Sequence, residues 1–77
     1  MTDWQQRDNL LIKEFVFKNF LAALEFVNAV GWLAEEMNHH PDIKMHDYKK
    51  VTLILTTHNV GGVTAKDFEL SEKINAL

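Results

Sequence analysis

The stretch from Asn19 to Asn38 carries apolar side chains at three- and four-residue spacing: Phe20, Ala23, Leu24, Val27, Val30, Ala34 and Met37. That period gathers them on one face of an α-helix. Asn19 has the kind of side chain that caps a helix start. Pro41, the only proline in the chain, forbids continuation, so the helix is expected to end near Asn38. In a chain of 77 residues, so long a helix leaves the remaining segments to cover its apolar face. Leu21, Phe26, Trp32 and Leu33 widen that face, which suits either a broad core contact or a subunit interface. Gly31 costs helix stability and is expected to mark a close approach of neighbouring backbone.

The flanking segments read as strands. Leu10 to Lys18 is rich in β-branched and aromatic residues, with Phe15 and Phe17 on one side and Glu14 and Lys18 on the other. Trp4 is expected to open a short partner strand, with Arg7, Asp8 and Asn9 as the turn. Asp42 to His46 and Lys49 to His58 predict a β-hairpin turning near Asp47 and Tyr48. Val51, Leu53 and Leu55 alternate with Thr52, Ile54 and Thr56, which puts one face against the helices. Asn59-Val60-Gly61-Gly62 is a flexible turn. Thr64-Ala65-Lys66-Asp67 matches a capping box with an acidic third position. A last helix follows to about Leu77, with Phe68, Leu70, Ile74 and Leu77 available for burial. The expected fold is α+β, an antiparallel sheet of about four strands with helices on one face. Residues 1–77 are expected to form one domain.

Composition narrows the classes. With no cysteine there is no disulfide and no thiolate chemistry. So small a domain sits near the margin of independent stability, which oligomerisation can relieve. The net charge of −3 and the scattered lysines argue against direct nucleic-acid binding. The apolar runs are too short to span a membrane. Met1 to Arg7 is polar and does not read as a secretory signal, so the expected location is the cytoplasm.

All four histidines, His39, His40, His46 and His58, lie in the middle of the chain. A hairpin packed on the helix can return His58 to the neighbourhood of His39, and loops beyond strand ends are where polar groups converge. Glu35 lies one helical turn before His39 and is expected to face the same side. Each residue also has an ordinary explanation: histidines after a helix favour its C-terminal dipole, Asp67 caps a helix, Trp4 fills the core. Three histidines and a carboxylate could hold zinc, but the helical H-E-x-x-H spacing is absent, and no metal is expected. Ser71, the only serine, lies inside the last helix without a nucleophile elbow.

The constellation is more specific than its parts. Ala34-Glu35-Glu36-Met37-Asn38-His39-His40-Pro41, then Tyr48, Val51-Thr52-Leu53, Thr56-Thr57-His58 before Gly61-Gly62, and Asp67 resemble the signature of the pterin-4a-carbinolamine dehydratase family. Phe15-Val16-Phe17-Lys18-Asn19-Phe20 and the following Phe26-Val27-Asn28 resemble it too. The likeness covers nearly the whole chain from Leu10 onward. It departs from the family in two places. The N-terminal helix common among members is expected to be missing, and Asn38 stands where some members carry aspartate.

The resemblance implies a hydro-lyase without cofactor. It would dehydrate 4a-hydroxytetrahydrobiopterin, the carbinolamine left by aromatic amino acid hydroxylases, to the quinonoid dihydropterin. Hydroxide leaves C4a and a proton leaves N5, so an acid and a base are needed, and imidazole titrates near neutrality. The implied catalytic residues are His39, His40 and His58, with His39 and His58 moving protons and His40 orienting substrate. Glu35, Asn38, Pro41, Asp67 and Trp4 are the implied substrate-binding or supporting residues. Implied partners are a pterin, further copies in a homodimer or homotetramer, and a functional link to a hydroxylase. The alternative is a non-catalytic scaffold or a coactivator-type dimerisation cofactor, as one animal member serves a homeodomain factor. A pure scaffold has no chemical reason to keep the three histidines. Another pterin pathway, such as molybdenum-cofactor metabolism, is compatible with the wider family.

Overall fold

The structure is a computed structural model that describes residues 4–77; the start of the polar Met1 to Arg7 segment lies outside them. The elements run β1 (Gln5–Arg7), β2 (Leu10–Val16), α1 (Phe20–Met37), β3 (Asp42–His46), β4 (Lys50–Leu55) and α2 (Ala65–Asn75). The four strands form one antiparallel sheet in the order β1-β2-β4-β3. Both helices pack on one face, as the pattern predicted.

The register explains the two faces. Leu11 pairs with Leu55, Lys13 with Leu53 and Phe15 with Val51. Leu11, Val51, Leu53 and Leu55 are buried and meet Ala23 and Val30 of α1 and Leu70 and Ile74 of α2. The opposite face carries Ile12, Glu14, Thr52 and Ile54, and neither α1 nor α2 covers it. Trp4 joins the core beside β1: its ring meets Phe15 edge-on at 6.0 Å, and its Nε1–H donates to Asn75 Oδ1 at 3.1 Å.

Helix α1 begins where the sequence indicates. Asn19 Oδ1 accepts from the Ala22 N–H at 2.9 Å, satisfying an orphan donor of the first turn. Asn38 ends the helix in the left-handed conformation, φ 51°, its N–H reaching the Ala34 and Glu35 carbonyls. The buried stripe is narrower than the apolar pattern. Ala23, Val30 and Ala34 are buried, while Phe20, Leu21, Leu24 and Trp32 remain exposed. Gly31 marks no close approach, for a Cβ there would meet nothing within 4 Å.

Two strand ends fall short of the pattern. β2 stops at Val16 and β4 at Leu55, so His58 lies in a turn and not at a strand end. Thr57 bridges back to Gly62, and Gly61 takes φ 69° inside that tight loop. Alternation along Thr56-Thr57-His58 continues the strand pattern, but the loop closes on itself first. The β3–β4 turn holds Asp47 and Tyr48 at positive φ.

Candidate active site

Three separate segments make one groove. Asn38, His39 and His40 come from the C-terminal cap of α1, Thr56 to Asn59 from the loop after β4, and Lys66 from the first turn of α2. The groove has a volume of about 380 Å³, enough for a small heterocycle. A hollow of similar size over Gln5, Ile12, Lys13 and Glu14 holds no histidine.

Behind the groove lies a buried carboxylate. Asp67 is fully buried at the third position of α2, where its Oδ2 accepts from the Thr64 N–H at 2.9 Å. The same oxygen accepts from the Thr57 hydroxyl at 2.8 Å. Its other oxygen, Oδ1, lies 2.6 Å from His39 Nε2. Burial pushes the Asp67 carboxyl up. The bonds from His39, the Thr64 N–H and Thr57 more than offset that, and hold it below the ordinary carboxylate value. An ionised carboxylate can only accept, so His39 Nε2 carries the hydrogen and donates it. Nδ1 is then the lone-pair nitrogen of His39. Thr57 spends its one hydrogen on Asp67, so Thr64 donates to Thr57 across their 2.8 Å contact. The capping box therefore does more than start a helix, because the carboxylate that caps α2 also orients His39.

His40 has a different partner. Its Nε2 lies 2.9 Å from Glu35 Oε1, and both side chains are exposed. Glu35 was expected beside His39; the left-handed turn at Asn38 swings His40 back over the helix end instead. His58 is exposed on the facing loop and lines the groove. Neither Trp4 nor Pro41 lines it: Trp4 is held in the core by Asn75, and Pro41 leads into β3. His46 lies at the far end of the hairpin, bound to Asp47 and Thr52. Ser71 is buried and donates to the Phe68 carbonyl at 2.7 Å. Among the described residues, no three histidine or carboxylate side chains are grouped to hold a metal ion.

The family model described as "Pterin 4 alpha carbinolamine dehydratase" matches residues 1–77. The chain belongs to this dehydratase family. A Sulfolobus acidocaldarius protein provisionally named pterin-4-alpha-carbinolamine dehydratase is 50% identical over 74 residues, 96% of this chain and 80% of that protein. A Thermomicrobium roseum protein with the same provisional name is 47% identical over 74 residues, 96% of this chain and 78% of its own. Among solved structures, a transcriptional coactivator/pterin dehydratase from Brucella melitensis superposes with TM-score 0.90 at 34% identity, covering 97% of this chain and 81% of that one. A pterin dehydratase-like protein described as a RuBisCO assembly factor in the alpha-carboxysome shares the fold, with TM-score 0.80 at 21% identity over 96% of this chain and 87% of its own.

The family motif thus converges in space for His39, His40, His58 and Asn38, with Asp67 one layer behind. Sequence reasoning missed Thr57, Thr64 and Lys66. Thr57 was quoted only as the residue before His58, and its bond to Asp67 needs the loop after β4 to close on α2. Lys66 carried one usable signal: a cation in the first turn of a helix gains nothing from the helix dipole.

Proposed function

We propose that this dehydratase-family protein removes water from a 4a-hydroxytetrahydropterin, of the tetrahydrobiopterin type, by histidine acid–base catalysis in the groove. The observation that carries this reading is the His39–Asp67 pair, 11% and 0% exposed, which directs the lone pair of His39 Nδ1 away from Asp67. His39 Nδ1 takes the N5 proton, and Asp67 balances the positive charge that arrives on the ring. His58, on the facing loop, protonates the departing C4a oxygen. The electron pair left by the N5 proton forms the C4a–N5 double bond, and the oxygen leaves as water. One proton is taken and one given, so the protein needs no oxidant or reductant. His40, braced by Glu35, orients the pterin, and Asn38 contributes an amide to its edge.

The apolar side chains left exposed on α1, among them Leu21 and Trp32, support a homodimer or homotetramer. No helix among the described residues is long and apolar enough to cross a membrane. A cytoplasmic partner of an aromatic amino acid hydroxylase is the matching role. The same exposed α1 residues favour a second reading, a scaffold or coactivator, in which partner binding would survive loss of both histidines.

The test is stopped-flow dehydration of a freshly generated carbinolamine against pH. His39→Ala and His58→Ala should each lower the rate by about a hundredfold or more, the usual worth of a positioned acid or base. Near-wild-type rates in both would remove the proposed mechanism.

A further inference from the structure

The walls of the groove hold imidazoles, amides and hydroxyls, and one formally charged side chain, Lys66. No carboxylate among the described residues lines it. Asp67 is fully buried behind His39, and Glu35 is turned outward to His40. Lys66 makes no ion pair or hydrogen bond among the described residues. Its position also opposes the helix dipole, so helix stability does not account for it. Thr56 is not a free donor, for its hydroxyl bonds the Asn9 carbonyl at 2.8 Å. The amide of Asn59 completes that side of the groove.

We propose that Lys66 is a specificity-determining residue that selects pterins whose side chain ends in a phosphomonoester. This rests on the dehydratase reading for the location of the bicyclic ring, and replaces the uncharged side chain of a tetrahydrobiopterin-type substrate with a phosphorylated one. With the ring between His39 and His58, a ring substituent can run along the groove toward α2. Lysine serves phosphate as a point charge. The protein as a whole is anionic, with net charge −3. Its global field therefore disfavours a phosphate, and any preference must arise locally at the groove. A groove built for an uncharged side chain needs no cation and could carry a carboxylate; this one has the cation and lacks the carboxylate.

The test separates binding from turnover. Equilibrium binding of two stable oxidised pterins, 6-hydroxymethylpterin and its phosphate ester, is followed by pterin fluorescence at low ionic strength. The ester is expected to bind about tenfold more tightly, the scale of one partly screened charge pair. The preference should shrink as salt rises. Lys66→Gln should bring the ratio near one, Lys66→Glu should invert it, and Lys66→Arg should keep it. Inorganic phosphate alone should compete only weakly, since it lacks the ring. Equal affinities in the wild type, or a preference that survives Lys66→Glu, would overturn the proposal. Failure to dehydrate either carbinolamine would instead overturn the dehydratase reading, whatever the binding ratio, and failure to bind either pterin would overturn both.

Discussion

Replacing Asp67 by asparagine tests the site and the fold together. The side chains are nearly the same size, but three donors lose a charged acceptor: His39 Nε2–H, the Thr57 hydroxyl and the Thr64 N–H. A hydrogen bond to a charged group contributes about 1.5–3 kcal/mol and a neutral one about 0.5–1.5. Three such downgrades sum to about 3–4.5 kcal/mol, against a total of about 4–12 kcal/mol for a chain of this size. Urea unfolding followed by tryptophan fluorescence is the assay. With a slope of about 1 kcal/mol per molar, the midpoint should fall by about 3–4.5 M. The pH dependence has a definite sign. The folded carboxyl lies below its ordinary value of 3.8, so its contribution is fully present above that value and is lost as pH falls through the lower, folded one. Wild type should lose this stability under acid conditions, and Asp67→Asn should lack that component. Activity follows from the tautomer. The asparagine amide presents N–H to His39 Nε2, which must then accept, and the hydrogen moves to Nδ1. The proposed base would be disabled in place, and dehydration should slow by about a hundredfold. A variant with an unchanged midpoint, an unchanged acid profile and an unchanged rate would refute the whole account of Asp67.

Two further outcomes concern α1. Gly31→Ala should stabilise the protein by about 1 kcal/mol, since Gly31 is exposed in the helix interior and an added methyl meets nothing within 4 Å; a rise in thermal midpoint checks it. Asn19→Ala should cost about 1 kcal/mol by orphaning the Ala22 N–H, and an unchanged urea midpoint would show that the cap contributes nothing.

Most of the fold was legible because its signals are local. Helix α1 has a cap, a period and a stop within its own residues. Strand β4 alternates cleanly, so the face that buries Val51, Leu53 and Leu55 follows from period alone. What was not legible depends on contacts between segments. The apolar pattern of α1 is wider than its buried stripe, because composition does not say how much surface the small sheet can cover. Phe20, Leu21, Leu24 and Trp32 read like core residues and lie outside it. The end of β4 was placed too late for a similar reason. Thr56, Thr57 and His58 suit a strand, but the β2–β4 ladder ends at Leu11 opposite Leu55, and Thr57 pairs instead with Gly62. With its ladder exhausted, the chain turns.

That early turn is what makes the site. Were β4 to run on through His58, the side chains of Thr57 and His58 would alternate to opposite faces of the sheet. Instead, Thr57 bonds Gly62 through its backbone and Asp67 through its hydroxyl, while His58 stays exposed on the loop facing His39. The motif spacing listed the participants but could not assign their layers. Asp67 looked like a cap or a pocket residue; it caps α2 and supports the groove from behind without lining it, since one oxygen serves the helix start and the other serves an imidazole. Trp4 and Pro41 looked like pocket residues from the family pattern, yet the hydrogen bond to Asn75 and the entry into β3 hold them elsewhere. A motif therefore names which residues must be near one another, whereas the order of contact is decided by strand exhaustion, capping and burial. In this chain those three converge on one buried carboxylate that still orients the histidine lining the groove.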